Sequence, residues 1–162
     1  QKGALIAVAA GNNPFGVSSP ACASRAIAAG GVGCFFLAFS FSFQDCPSWY
    51  DTVSSFSGRG YSMRHHGVLA PASFVFTTVP TYDCPLCDES GYAYIVGTSS
   101  SAPDVAGLAA LIKEKNPKLS SSSIKQIIFS SAVDVLTFQA ENKRYEQGFG
   151  RIDALNAISA VH

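Results

Sequence analysis

The sequence predicts an α/β domain in which helices flank a parallel sheet. Three observations carry that expectation. Nearly half of the 162 residues are apolar (48%) and only 14% are charged, a balance that suits one packed domain and not a disordered tail. Two apolar runs, residues 4–10 and 26–32, lack the alternation of a one-sided sheet and read as strands buried on both faces. From Ser99 onward the apolar residues change to helical spacing.

The first run, ALIAVAA, ends at Gly11-Asn12-Asn13-Pro14, turn chemistry that stops a strand. The second, AIAAGGV, is built from smaller side chains. Residues 33–50 are irregular, aromatic and bounded by cysteines, the pattern of a long loop or hairpin insert. Residues 54–60, SSFSGRG, are again turn chemistry, and residues 73–79, SFVFTTV, carry the aromatic and β-branched side chains of a strand. Residues 80–91 form an acidic loop.

A helix then starts near Ser99 and stops before Asn116-Pro117, with Val105, Leu108, Ala109 and Ile112 on one face. Ala106 and Ala110 widen that face, which predicts a helix enclosed on most sides. Pro103 is assigned to its first turn, where N–H groups have no intrahelical partner. A second helix is capped from residues 120–123 and buries Ile124, Ile127, Ile128 and Ala132. A third, DALNAISAV, is capped by Asp153 with Leu155 and Ile158 inward. No repeat and no boundary divides residues 1–162, and the opening at Gln1 in mid-pattern suggests a piece of a longer precursor or a truncated sequence.

Charge and length exclude some classes of function. Eleven basic and eleven acidic residues cancel, and no basic stripe marks nucleic acid as a partner. No run reaches the roughly 18–20 apolar residues that span a bilayer. The greasiest stretch, FFLAFSFSF at residues 35–43, reads as packing, with a membrane or partner contact as the alternative. Five cysteines suggest an oxidising, extracellular setting. Cys34 and Cys46 could staple the insert, leaving Cys22 as a buried thiol. Cys84 and Cys87 admit three readings: a disulfide, free thiols, or half of a zinc site completed by His65 and His66. Asp83, Asp88 and Glu89 could hold calcium, although a solvated acidic loop is the simpler reading.

The chemistry concentrates at YIVGTSSSAP, residues 94–103. A serine nucleophile needs an exposed, rigid hydroxyl beside groups that stabilise an oxyanion, and a helix N-terminus offers unpaired N–H groups and a positive dipole end. Ser99 stands at such a start, after a glycine that lets the backbone turn and before small residues that admit a substrate. The competing reading is that Ser99 merely caps the helix.

Other segments bear on that choice. GTSSSAPDVAG, with Gly97, Thr98, Ser99, Ser101, Pro103, Val105 and Ala106 in register, resembles the serine signature of the subtilisin-like serine proteases, the subtilases. AVAAGNN resembles the family's strand ending in Ala-Gly-Asn, and SPACASRAIAAGG its Pro-Ala segment and following strand. SSFSGRG, VLAPA and GFGRIDALNAISA are similar to its Phe-Ser turn, Ala-Pro-Gly corner and last helix. The resemblance implies a three-layer subtilisin-like fold of which residues 1–162 are the C-terminal part. It implies Ser99 as nucleophile and Asn12 as oxyanion donor. Ala10, Gly11, Pro20, Ala21, Gly97 and Thr98 then belong to the substrate-binding region, with room for a sizeable apolar P1 side chain. Catalysis would need no cofactor; subtilases often hold structural calcium, which no residue set here places.

The family order is Asp, then His, then Ser. The eleven residues before Asn12 contain neither Asp nor His, so the resemblance implies that the upstream part with both motifs is absent. His65 and His66 fall outside the family's His motif and read as a surface-loop pair. Ser100 stands where many members have Met, Asp104 where many have His, and Ala72 replaces the corner glycine. A sedolisin-like peptidase shares Gly-Thr-Ser, but its oxyanion Asp argues against it here. The expected function is therefore peptide-bond hydrolysis of protein or peptide substrates, completed by the N-terminal part of the same domain. The alternative is a degenerate, non-catalytic binding module.

Overall fold

The computed structural model describes residues 3–33, 51–135, 137 and 140–162. Residues 34–50, with the expected insert and its Cys34–Cys46 staple, lie outside them. The sheet is parallel, as expected. Strand β1 (Ala7–Ala9) pairs with β2 (Ile27–Val32) in the register Ala7↔Ile27, and β2 pairs with β3 (Gly67–Pro71) in the register Ala28↔Gly67. All six residues of β2 are buried. Successive side chains point to opposite faces. Ile27 and Ala29 of β2 and Val68 and Ala70 of β3 join one core, whereas Ala28 and Leu69 join the other. This is the three-layer arrangement.

The first strand is shorter than its apolar run and only half buried. Pairing begins where β2 begins: Ile27 N–H donates to Ile6 O (2.8 Å), and residues before it have no partner strand among the described residues. Helix α1 (Tyr61–His66) and strand β3 lie outside the expected elements. Helix α1 is one and a half turns long, and Met63 and His66 are its buried residues, too few to show a period. The expected corner at VLAPA is the end of β3, which Pro71 closes at a place where the missing N–H costs no ladder bond. The free edge of β3 is covered by residues 149–152: Phe149 N–H donates to Gly67 O (2.9 Å), Leu69 N–H to Gly150 O (2.8 Å) and Ile152 N–H to Leu69 O (2.9 Å).

The expected strand at residues 73–79 forms β4 (Val75–Thr78), antiparallel to an unpredicted β5 (Tyr92–Ile95). The acidic loop is the tip of this hairpin. There Cys84 and Cys87 form a disulfide, which decides among their three readings. Asp88 accepts from Ser90 N–H (2.9 Å) and its hydroxyl (2.6 Å), which lowers the exposed carboxyl. Among the described residues no three His, Cys, Asp or Glu side chains cluster to hold a metal.

Helix α2 (Thr98–Lys115) lies on the sheet with Val105, Leu108, Ala109 and Ile112 buried. Ala106 and Ala110 are exposed, so the helix is not enclosed on most sides; one face meets the strands and the opposite face is open. Pro103 lies in the second turn and not the first, and it removes the N–H that would bond the Ser99 carbonyl. Helix α3 (Ser121–Ser131) is capped by Ser120, whose hydroxyl accepts from Ser123 N–H (3.1 Å). Ile124, Ile128 and Phe129 are buried; Ile127 and Ala132 are half-buried. A short 3-10 turn (Ala140–Asn142) and α4 (Lys143–Gln147) follow.

Helix α5 (Ala154–Ser159) is capped by Asp153, which accepts from Asn156 N–H (2.8 Å). Leu155 is 78% exposed, against expectation. Ala157 is buried and Ile158 packs half-buried against the same core, as expected of it, while Leu155 is left outside. Cys22 is an exposed free thiol, not a buried one, because its loop turns on the surface.

His66 is also corrected: it is buried at the end of α1 and bonds Ala21 O through Nε2 (3.1 Å). A carbonyl only accepts, so Nε2 carries the proton and donates. Burial lowers the His66 pKa; the Ala21 bond opposes this, and Lys125 and His65 add to it. Between that lowered value and the ordinary 6.5, the unfolded chain binds more protons than the folded one. Stability is complete above the ordinary value and is lost as pH falls through the lowered one. The melting temperature is expected to drop on acidification from about pH 7 to about pH 5.5. His66→Gln, which cannot titrate, should flatten that part of the curve; an unchanged slope would exclude His66 as its source.

Candidate active site

The site forms where the turn after β1 meets the start of α2. Gly97 precedes the helix with φ 141° and ψ 157°, a conformation essentially reserved for glycine. Its N–H donates to Ala72 O (2.7 Å), tying it to the end of β3. Thr98 is 1% exposed. Its N–H and its hydroxyl both donate to Asn12 Oδ1, at 2.9 and 3.0 Å, and its Oγ1 accepts from Gly11 N–H at 3.1 Å. A backbone N–H can only donate, so the bonded atom is the Asn12 oxygen and the amide nitrogen Nδ2 is left for other work.

The three serines separate by environment. Ser100 donates to Pro71 O (3.0 Å) and Gly97 O (2.9 Å). Ser101 donates to Ala70 O (3.1 Å) and Pro71 O (3.2 Å). Both are buried and fasten α2 to β3. Ser99 is exposed, and no hydrogen bond among the described residues engages its hydroxyl. It does not cap the helix: the N-cap is Gly97, with no side-chain cap bond. Ser99 thus presents a bare hydroxyl in the first turn of an 18-residue helix, beside unpaired N–H groups and the positive dipole end.

The model of the Subtilase family matches residues 1–150. The chain belongs to the subtilase family. It is 34% identical over 115 residues to the minor extracellular protease Vpr of Bacillus subtilis, covering 68% of this chain and 14% of Vpr. It is 30% identical over 159 residues to the thermophilic serine proteinase of Bacillus sp. strain AK1, covering 98% of this chain and 31% of that protein. A solved protease from Pseudoalteromonas arctica shares the fold with TM-score 0.75 and 24% identity, over 99% of this chain and 43% of that one. The chain therefore spans less than half the length of each of these relatives.

The subtilase chain brings most of the sequence-predicted residues together. Gly11 has φ 100°, and its carbonyl accepts from Gly58 N–H (2.9 Å), so the SSFSGRG turn closes over the end of β1. A Cβ on Gly11 would collide with the Ser18 side chain. Ser18 N–H donates to buried Ala10 O (2.8 Å), folding residues 18–21 back onto Ala10 and Gly11. Pro20, after a cis peptide bond, is exposed there, and Ala21 is buried. Thr98, expected among the substrate-binding residues, lies below the surface, bonded to Asn12 and Gly11. These bonds span 86 and 87 positions, so no local signal in the sequence points to them.

No histidine is bonded to Ser99 among the described residues. His66 is engaged at Ala21, and the His65 ring lies 4.2 Å from that of Tyr61. The carbonyl of His162 accepts from Asn116, at the far end of α2. Desolvation raises the Asp104 carboxyl pKa above its ordinary value; nothing among the described residues explains its place in the motif.

Gly97 offers a direct test of this geometry. A Cβ there would stand 2.9 Å from Asn12 Nδ2, in a backbone conformation that side chains rarely adopt. Gly97→Ala is expected to cost about 1–3 kcal/mol of stability from backbone strain and to displace the Asn12 amide. Chemical denaturation measures the first effect; a stability within error of wild type would contradict it.

Proposed function

We propose that this chain is the nucleophile-bearing part of a subtilisin-type serine endopeptidase. The carrying observation is the sorting of the serines: two are fastened to β3 and one is bare, beside an asparagine whose oxygen is held and whose N–H₂ is not. Ser99 Oγ attacks a peptide carbonyl and the base removes its proton. The oxyanion accepts from Asn12 Nδ2–H and the Ser99 backbone N–H. Collapse expels the amine, which takes the proton from the base, and water then releases the acyl group from Ser99. The base and its orienting carboxylate come from outside these residues, because no histidine among the described residues is bonded to Ser99: His66 is held at Ala21 and His65 lies against Tyr61. Gly11 and Pro20 wall the region that receives the substrate, with the buried Ala10 and Ala21 behind them, and the region has space for an apolar P1 side chain.

The completing partner in this reading is the N-terminal part of the same domain. The open face of α2 at Ala106, Gly107, Ala110 and Leu111, and the unpaired edge of β1 among the described residues, supply apolar surface and free backbone groups for it. Substrates are proteins or peptides and the setting is extracellular. The engaged histidines also favour a second reading, in which the chain acts without catalysis as a binding module.

Hydrolysis of a chromogenic peptide with an apolar P1 residue separates the two. The chain alone should show only residual activity. In a precursor that supplies an Asp and a His motif, the rate should rise at least about 10⁴-fold. Equal rates for both would overturn the protease reading.

A further inference from the structure

Residues 18–26 are held at two points from distant parts of the chain. At one, His66 Nε2 donates to Ala21 O at 3.1 Å, from a side chain 6% exposed. At the other, Lys125 of α3 donates to Ala26 O at 2.9 Å and Ser24 O at 3.3 Å, and its ammonium lies 5.4 Å from the centre of the Phe129 ring. The Ala21 methyl is buried in the core with Ala10 and Met63, and among the described residues the other backbone bonds between the two points are short-range turns: Ala23 N–H to Pro20 O (3.0 Å), Ala26 N–H to Ala23 O (3.0 Å) and Cys22 N–H to Ser18 O (3.3 Å). Its other end, Ser18, is bonded to Ala10 and lies against Gly11, whose N–H is held by Thr98 beside Ser99. The path therefore runs from His66 to Ala21 O, along the backbone to Cys22, through the Cys22 N–H bond to Ser18 O, and from Ser18 to Ala10 and Gly11, the neighbour of Asn12.

We infer that His66 is a positioning residue for the candidate site: its Nε2–H holds the Ala21 carbonyl and seats residues 18–21 against Gly11, fixing one wall of the substrate region. Lys125 anchors the outgoing end of the same segment. The kinetic consequence rests on the protease reading; the structural one does not. An apolar substitute of similar bulk would fill the site without holding the carbonyl. Glutamine keeps an N–H donor and should replace it.

Amide hydrogen exchange tests this on the chain as it stands. His66→Leu is expected to raise exchange at Cys22, Ala23 and Ala26 by about fivefold, the worth of one ordinary net hydrogen bond, with β2 and β3 unaffected. His66→Gln should stay near wild type. Imidazole nitrogen NMR on the unaltered chain should find the proton on Nε2, which keeps the test open should the leucine variant not fold. In the active protease, His66→Leu should raise KM for large apolar P1 substrates by a similar factor with kcat little changed. Unchanged exchange, a rise spread evenly over the sheet, a glutamine variant as loose as the leucine one, or a proton on Nδ1 would each overturn the inference. Local loosening with unchanged KM would overturn its specificity part. Absence of any peptidase activity would sink the protease reading, while the exchange result still decides whether His66 orders the segment.

Discussion

Ser99→Ala, introduced into the triad-complete protease, is expected to lower kcat by about a millionfold, the scale seen when a subtilisin loses its serine. Its neighbours should behave differently although all three are serines in one helical turn. Ser100 and Ser101 hold the carbonyls of Ala70 and Pro71. Replacing either with alanine should cost about 1 kcal/mol of stability, the net value of a typical hydrogen bond, and leave most of the activity. The contrast matters more than the first number, since the loss at Ser99 alone would also follow from local misfolding. A Ser100→Ala variant as inactive as Ser99→Ala would contradict the assignment.

The second large effect is expected at Asn12. A subtilisin stripped of its oxyanion asparagine loses about 10²–10³ in kcat, or about 2.7–4 kcal/mol of transition-state stabilisation. Here the side chain has two ends with two tasks, and the variants can separate them. Asn12→Asp keeps an oxygen for the Thr98 N–H and hydroxyl, so the fold should survive. It turns a negative oxygen toward the forming oxyanion, so kcat should fall at least as far as in Asn12→Ala, with KM little altered. Thr98→Val removes the hydroxyl that joins Gly11 to Asn12 while keeping the Thr98 N–H bond. A partial loss is expected there, between wild type and Asn12→Ala. Full activity of Asn12→Asp would rule out the oxyanion role.

The pattern of the strands and long helices was legible because burial repeats along them. β2, with every residue buried, and α2 and α3, with stripes through Ile112 and Ile128, display their surroundings in their composition. Short elements had no such period. α1 has six residues, and β5 pairs only because β4 folds back on it across a loop that local pattern does not read as a hairpin. Leu155 misled because a six-residue helix buries only a narrow face, here Ala157 with Ile158 beside it. At the site, the motif exposed the position of Ser99 but not the reason it is bare. That reason lies in long-range partners: Ser100 and Ser101 reach β3 some thirty positions away, and Thr98 reaches Asn12 at a separation of 86 residues. His66 was misjudged on the same ground, since its partner Ala21 is 45 residues distant.

Labelling with a fluorophosphonate probe, followed by peptide mapping, tests the central claim most directly. The probe should be applied to this chain alone and to a folded precursor bearing an Asp and a His motif, each with a Ser99→Ala control. The account predicts a single phosphonylated residue, Ser99, in the precursor, with at most trace labelling of the isolated chain. A folded precursor that stays unlabelled, or that labels at Ser100 or Ser101 instead, would contradict it.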